Sequence, residues 1–538
     1  MHALLLFALC GTARANVWPM PAKFANGSSV ATVDPAKMQL FADGNDTAMV
    51  KAELAVAFER FQRNAFPHAG AKSSAGAVGA VEVTVKDGAA DLQLGVSEAY
   101  ELDVPATFYS SGSAVATIQA DTVFGAYRGL ETLSQLIRFD FGSSSYVVDG
   151  APIKISDAPR FPHREILLDS ARHYEPVRVI EAILDSLAYA KLNTLHWHIS
   201  DSQSFPFVAP SHPELAEAAA FSPGERYTAG DVAAVVAYAR SLGIRVVVEV
   251  DTPGHAASFC KSNPDVCPAP DCPEPLLLSN KTFELIGDIF ADFAAVTTDE
   301  IFHLGGDEVR YDCWNKSDAM KAWMAAEKLA TFDDAYAYAV QRVAAGVKAA
   351  HGRAAIVWGE AWDTFGPSMP KSTIFDFWLG GGVSARGVAN ATSHGYRVLW
   401  NVGRGSNVGS WRVARRVRKL RRYLDSLITT WDTMYARDPC TGLTTQQCAL
   451  ARRATAPRRR RWGETADPSD IMQTLWPRLA AIAEVLWSPP HGANATAAAL
   501  PRLEAFRCVL EERGVAAAPV SNPLARAAPE GPGSCRSQ

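Results

Sequence analysis

The chain has 538 residues, 48% hydrophobic and 20% charged, the proportions of a globular protein with more than one core. A formal net charge of −5 provides no basic footprint, so a nucleic-acid partner is not expected. After the first residues no stretch has the apolar length of a membrane span, so none is expected.

Residues 1–15 read as a secretory signal. The apolar run Ala3 to Leu9 is too short to cross a bilayer, and Ala13-Arg14-Ala15 has the small-x-small pattern of a cleavage site. Sugar-attachment sequons at Asn26, Asn45, Asn280, Asn315, Asn390 and Asn494 agree with that route. Of nine cysteines, Cys10 leaves with the signal, and an even number in an oxidising compartment favours disulfides over a metal site. Cys440 with Cys448 and Cys508 with Cys535 are the simplest pairs, while Cys313 reaches back to Cys267 or Cys272. The expected destination is the secretory pathway: a lysosome or vacuole, or the cell exterior.

Residues 16–157 form a first, α+β unit. Val81 to Val85, Asp91 to Val96 and Ala114 to Ala120 alternate as half-buried strands, and Thr122 to Phe139 reads as an amphipathic helix. From 158 to 538 the texture becomes strand-then-helix. The strands begin at Glu165, Thr194, Arg245, Ile301, Ala355, Ile374 and Tyr396, with helices such as Pro176 to Leu192 between them. Apolar strands joined by helices imply a parallel sheet covered outside, and this many units predict a (β/α)8 TIM barrel with its site at the C-terminal strand ends. A doubly wound sheet is the alternative, but no Gly-x-Gly-x-x-Gly turn follows the first strand.

Those strand ends carry the chemistry. Ile301-Phe-His-Leu-Gly-Gly-Asp-Glu is a buried strand broken by two glycines and followed by Asp307 and Glu308. Adjacent carboxylates repel, so one of them is expected to have a raised pKa and to act as an acid. Arg172, His196, His198, Asp201, Asp251, His255, Trp358, Glu360 and Trp378 close the other strands. Tryptophan faces with acids and an arginine suit a sugar. His196-x-His198 has the spacing of a strand metal site, yet tryptophans rather than more histidines surround it, so the favoured role is hydrogen bonding to carboxylates, with no metal or cofactor.

Phe161 to Tyr174, Leu195-His-Trp-His-Ile-Ser-Asp201, Asp251-Thr-Pro-Gly-His255 and His303-Leu-Gly-Gly-Asp-Glu308 resemble family 20 glycoside hydrolases, the β-N-acetylhexosaminidases of the eukaryotic lysosomal or secreted type. The resemblance implies an exo-acting, retaining enzyme on N-acetylhexosamine-terminated glycans, and a homodimer is a candidate assembly. It also implies roles. Glu308 would be the general acid. Asp307 would hold the substrate's 2-acetamido group, whose own oxygen is the nucleophile and forms an oxazolinium, outside the usual two-carboxylate scheme. Arg172 would bind the 3- and 4-hydroxyls, and Trp358, Trp378 and Trp462 would wall the acetamido methyl and sugar faces. Tyr423 would reach the acetamido oxygen and Asp425 the 4- and 6-hydroxyls, with Glu464 also in the sugar site. Asp201, His255 and His303 would stand behind these groups and tune the acid.

Two stretches depart from the family. An arginine-rich segment, 401–422, precedes Tyr423, and Leu450 to Arg461 replaces the apolar eighth strand. Pro457 and the arginine run are not expected in a central buried strand. A genuine basic insertion is one explanation; the favoured one is an imperfect gene model, with a retained intron near 402–422 and a frame slip near 450–461, where shifted glycine codons read as arginine or alanine. A disrupted eighth strand makes a catalytically impaired glycan-binding relative the alternative function.

Overall fold

The computed structural model describes residues 16–42, 47–72, 76–106, 114–378, 382–401, 430–451, 453–455, 466–490, 492, 495–520 and 535. The chain first lays down β1 (Lys23–Val33), β2 (Gln39–Ala42), β3 (Val78–Asp87), β4 (Tyr100–Val104), β5 (Ala114–Thr122), β6 (Ile137–Asp140) and β7 (Ser145–Asp157). They form one sheet in the order β1-β3-β5-β4-β7-β6, with β2 alongside β3. Helices Ala48–Ala65 and Val123–Leu136 supply Leu54, Phe58, Leu130 and Leu133 to a core with Val81, Val83 and Ile118 of the sheet. The second helix starts where the Thr122 hydroxyl accepts the Gly125 N–H, and it is shorter than its periodicity predicts. Beyond Leu136 the chain joins β7 as a strand, so the last three residues of the expected helix, 137–139, are strand instead.

The segment Asp91 to Val96 is not a strand, contrary to its alternation. Its side chains do alternate, but between two cores: Leu92 and Val96 turn to the N-terminal core, and Leu94 packs against the barrel-floor residues Val247, Ile301, Ile356, Ile374 and Leu399. Gln93 fastens it with bonds to the Thr298 carbonyl (2.8 Å) and the Glu300 N–H (2.9 Å). The period of two is that of a plug between domains.

The barrel strands are β8 (His163–Asp169), β9 (Thr194–Ser200), β10 (Arg245–Val250), β11 (Ile301–His303), β12 (Ala354–Trp358), β13 (Ile374–Phe377), β14 (Arg397–Asn401) and β15 (Arg453–Thr455). They close in sequence order, every pairing parallel. The expectation that 450–461 cannot supply the eighth strand is corrected. Leu399 faces Arg453 and Asn401 faces Thr455 on one side, while Arg453 faces His163 and Thr455 faces Glu165 on the other. Three residues, Arg453–Thr455, are enough to pair with both neighbours.

Inside the barrel, stepping two residues along a strand keeps the same face. Val247, Ile301, Ile356 and Ile374 make an apolar layer at the floor; Glu249, His303, Trp358 and Asp376 stand one step above it, all fully buried. An apolar floor beneath a polar storey follows from the strand period alone.

The two units are bolted together. Glu98 accepts hydrogen bonds from Arg128 (2.8 Å), Arg164 (2.7 and 2.8 Å) and Asn193 (3.0 Å), all buried. Trp18, from the N-terminal segment, sits in the barrel-side core with its indole N–H on the Ala480 carbonyl (2.9 Å). Trp487, from the barrel side, sits in the N-terminal core with its indole N–H on Asp157 (2.9 Å). Disulfides join Cys260 to Cys267, Cys272 to Cys313, Cys440 to Cys448 and Cys508 to Cys535, so Cys313 takes Cys272. Four such bridges fit a secretory-pathway protein. Among the described residues no helix is long and apolar enough to cross a membrane.

Candidate active site

The turn after β11 is built around Asp251. Gly305 has φ +71°, and a Cβ there would lie 1.8 Å from Asp251 Oδ1, so only glycine fits. Asp251 Oδ1 accepts the Gly306 N–H (2.8 Å), His303 Nδ1 accepts the Gly305 N–H (3.0 Å), and the Tyr336 hydroxyl donates to the Gly306 carbonyl. So held, the turn buries Asp307 and leaves the Glu308 side chain 46% exposed at the mouth.

Glu308 itself has φ +49°, and His255, its neighbour across the mouth, has φ +53°. Left-handed backbone at a non-glycine residue costs about 1–3 kcal/mol and persists where surroundings impose it. Both strained residues face each other: His255 Nε2 lies 3.6 Å from Glu308 Oε2 and 3.9 Å from Asp307 Oδ2.

Arg172 is positioned from behind. Asp169 at the end of β8 accepts the Ala171 and Arg172 N–H groups (3.1 Å each) and the guanidinium (3.0 Å). Asp201 meets the same guanidinium at 2.5 Å and takes His198 Nε2 at 2.7 Å and His255 Nδ1 at 3.3 Å. Arg172, Asp201, His255, Asp307 and Glu308 are thus brought together at the C-terminal ends of β8 to β11.

The charges follow from the contacts. Burial lowers a histidine, but Asp201, Glu308 and Asp307 outweigh it at His255 and hold that ring cationic. Burial raises Asp201, yet His198, His255 and Arg172 keep its carboxyl below the usual range. Burial and the adjoining Asp307 carboxylate push Asp251 well up, so Asp251 keeps a proton while sitting beside Asp307. The expectation that one of the adjacent pair would be raised is not met at Glu308. The His255 imidazolium beside it holds its carboxyl below the usual range, and water still reaches it. Burial first, and Asp307 second, raise Glu360 to about 8.

Trp378 is half-buried, its indole N–H donating to both oxygens of Glu360 (2.9 and 3.0 Å). Trp358 differs from an open wall: it has no exposed surface, its N–H donates to Glu249 (2.7 Å), and its ring lies tilted against that of His303, centroids 4.3 Å apart. It belongs to the storey beneath the mouth. His303 is fully buried, and burial lowers its ring to about 4, leaving it neutral to accept the Gly305 N–H. Tyr423, Asp425, Trp462 and Glu464 lie outside the described residues.

His196 and His198 have no lone pair left for a metal. His196 bonds Glu165 (3.1 Å) and Glu249 (2.9 Å), and His198 bonds Glu249 (2.5 Å) and Asp201 (2.7 Å). A ring between two carboxylates is an imidazolium, and His196 is raised to about 9 although burial opposes it. The sequence puts Glu249 at a strand end and Glu165 at a strand start without giving either a role; Glu249 is the one carboxylate in the apolar run Val246 to Val250. That was the available signal, since an acid at an inward position of a buried strand needs a partner.

The family model described as glycosyl hydrolase family 20, catalytic domain, matches residues 161–490, and one described as beta-acetyl hexosaminidase like matches 17–136. Beta-hexosaminidase 1 of Arabidopsis thaliana is 39% identical, over 97% of this chain and 94% of its own. Beta-hexosaminidase 3 of the same plant is 36% identical, over 98% and 94%. The X-ray structure of a Flavobacterium johnsoniae chitobiase superposes with a TM-score of 0.76 at 26% identity, covering 93% of this chain and 73% of that one.

Proposed function

The chain belongs to glycosyl hydrolase family 20 as an exo-β-N-acetylhexosaminidase, and from that premise we propose that Glu308 and Asp307 divide the reaction between them. Glu308 protonates the departing glycosidic oxygen and later activates water. Asp307 accepts the acetamido N–H of the sugar and stabilises the oxazolinium formed when the acetamido oxygen attacks. The observation that carries this reading is the contrast within the pair: a buried Asp307 beside a half-exposed Glu308 that faces His255. Docked sugar strips water from Glu308, and desolvation moves its carboxyl up from its depressed value, toward what an acid needs. Asp251 keeps its own proton, so the negative charge of the pair rests on Asp307, the oxygen acceptor that the acetamido N–H requires.

In the same reading Arg172 holds the 3- and 4-hydroxyls, Trp378 covers a sugar face, and Trp358 backs the acetamido pocket from the storey beneath it. Asp201, His255 and His303 hold these groups in place, and Tyr423, Asp425, Trp462 and Glu464 complete the sugar site. Neutral sugars are favoured, because Ser426 rather than an arginine follows Asp425. Delivery to a lysosome or vacuole, or export, and assembly as a homodimer belong to the proposal too. With Arg453–Thr455 paired on both sides, nothing favours the impaired glycan binder.

The test is Glu308→Gln with an aryl N-acetylglucosaminide. Release is expected to fall by about 10²- to 10⁴-fold, the worth of a general acid, with the fold retained because the side chain is half-exposed. A near-normal rate would refute the assignment.

A further inference from the structure

A file of buried groups with alternating charge runs from the barrel floor to Glu308. Asp299 holds Arg245 (2.6 and 2.9 Å), which lies 3.4 Å from His163 Nδ1, and His163 Nε2 lies 2.7 Å from Glu165. Glu165 and Glu249 take the two nitrogens of His196; Glu249 and Asp201 take those of His198. Asp201 then meets Arg172 and His255, and His255 faces Glu308. Glu249 is the junction. One of its oxygens serves both histidines; the other accepts the Trp358 indole N–H.

A carboxylate with no exposure costs several kcal/mol unless donors converge on it, and an apolar replacement is often as stable. Stability alone therefore does not explain Glu249. What its charge does reach is the mouth, through His198 and then Asp201 to Arg172 and His255, and it holds Trp358 beneath the mouth directly. We propose that Glu249 is a positioning residue of the hydrolase: its negative charge, relayed through His198 and Asp201, fixes Arg172 and His255 against sugar and Glu308, while its second oxygen fixes Trp358. This rests on the reading of Glu308 as the acid.

The other groups facing Glu249 are accounted for. On β9 stand His196 and His198, with Glu165 of β8 behind His196. On β11, His303 Nδ1 lies 3.2 Å away, but it accepts the Gly305 N–H and is neutral, so it is no counter-charge. Asp376 of β13 lies beyond His303, 4.0 Å from its Nε2, and Asp251 is on the same strand as Glu249. The balancing cations are His196 and His198.

The experiment compares pH profiles of kcat/KM for the wild type, Glu249→Gln and Glu249→Asp. The Gln variant keeps shape and removes charge. Its histidines lose their counter-ion, so its alkaline limb should move down by about one pH unit or more, with at least a tenfold loss at the optimum. The Asp variant keeps the charge and should keep the wild-type limb even where its rate falls. A Gln profile that is the wild-type curve scaled uniformly would mean a purely structural role and would overturn the proposal. If the Gln variant does not fold, histidine-selective NMR on the wild type decides: the His198 ring, identified by its loss in His198→Gln, should remain protonated through pH 8. Titration near 6.5 would overturn the proposal. That measurement does not depend on turnover, so it separates failure of the Glu249 role from failure of the Glu308 assignment.

Discussion

At the floor of the barrel Glu98 is met by two arginines and an asparagine, and at the mouth Glu308 is met by one histidine across 3.6 Å. Burial raises the first carboxyl, but Arg164 and Arg128 outweigh it and hold it below the usual range. The second is also held low, yet water reaches it and its backbone is left-handed. The same residue type is finished at one end and left open at the other. A saturated carboxylate serves the joint between domains; an under-coordinated one can still take a proton from, or give it to, a sugar. Barrels concentrate chemistry at the C-terminal strand ends for this reason: loops there can hold groups in unfinished states while the floor carries the stability.

Three changes sharpen the contrast. The largest effect is expected at the mouth from Gly305→Ala, which places a Cβ 1.8 Å from Asp251 Oδ1 at a φ that alanine resists. Turnover should fall by about 100-fold or more as Asp307 and Glu308 move, with a loss of roughly 2–4 kcal/mol in stability from overpacking and strain. Steady-state assays with a denaturant melt measure both; a variant with wild-type kcat would break the view that this turn fixes the pair. Next comes Glu98→Gln at the floor, which leaves buried arginines without their counter-charge. Stability should drop by about 3–5 kcal/mol while kcat per folded molecule stays within about twofold. An unstable protein with a correspondingly low kcat would show that the floor also tunes the chemistry.

The smallest effect is pH-linked. Glu175, close behind the mouth, is raised to about 8 by burial and then by Asp467, Asp470 and Asp169. Its folded pKa lies above its unfolded one, so its contribution is complete below about pH 4.5 and is lost as pH climbs through 8. Glu175→Gln should flatten melting temperature against pH across that window and stabilise the protein at pH 8 by about 1–3 kcal/mol, allowing for solvent screening. An unchanged slope would place the loss of stability at rising pH elsewhere.

Much of the barrel was legible because parallel strands buried on both faces read as apolar runs, and Thr194 to Ser200 was found to the residue. The N-terminal sheet was harder. Lys23–Val33 is exposed along most of its length and offers no apolar stripe, and Asp91 to Val96 offered an alternation that belongs to a plug. The eighth strand was misjudged because its composition argued against burial, whereas three residues of ladder were enough. In the site, Arg172, Asp201, His255, Asp307 and Glu308 were picked out from motifs and are assembled at one mouth. The direction of the Glu308 shift was not legible, since it depends on where His255 lies in space, and the Glu249 junction was hidden inside Arg245–Val250, a strand otherwise apolar after its first residue.

The exchanged tryptophans make the molecule indivisible. Cutting the chain between β7 and β8 would pull Trp18 out of one core and Trp487 out of the other, exposing an indole-sized hole in each. At about 25 cal/mol per Å² and roughly 200 Å² for each ring, each severed half forfeits on the order of 5 kcal/mol, comparable to the whole margin by which a domain stays folded. Neither half is then a module that evolution or an engineer could shuffle by itself; the heritable unit is the pair.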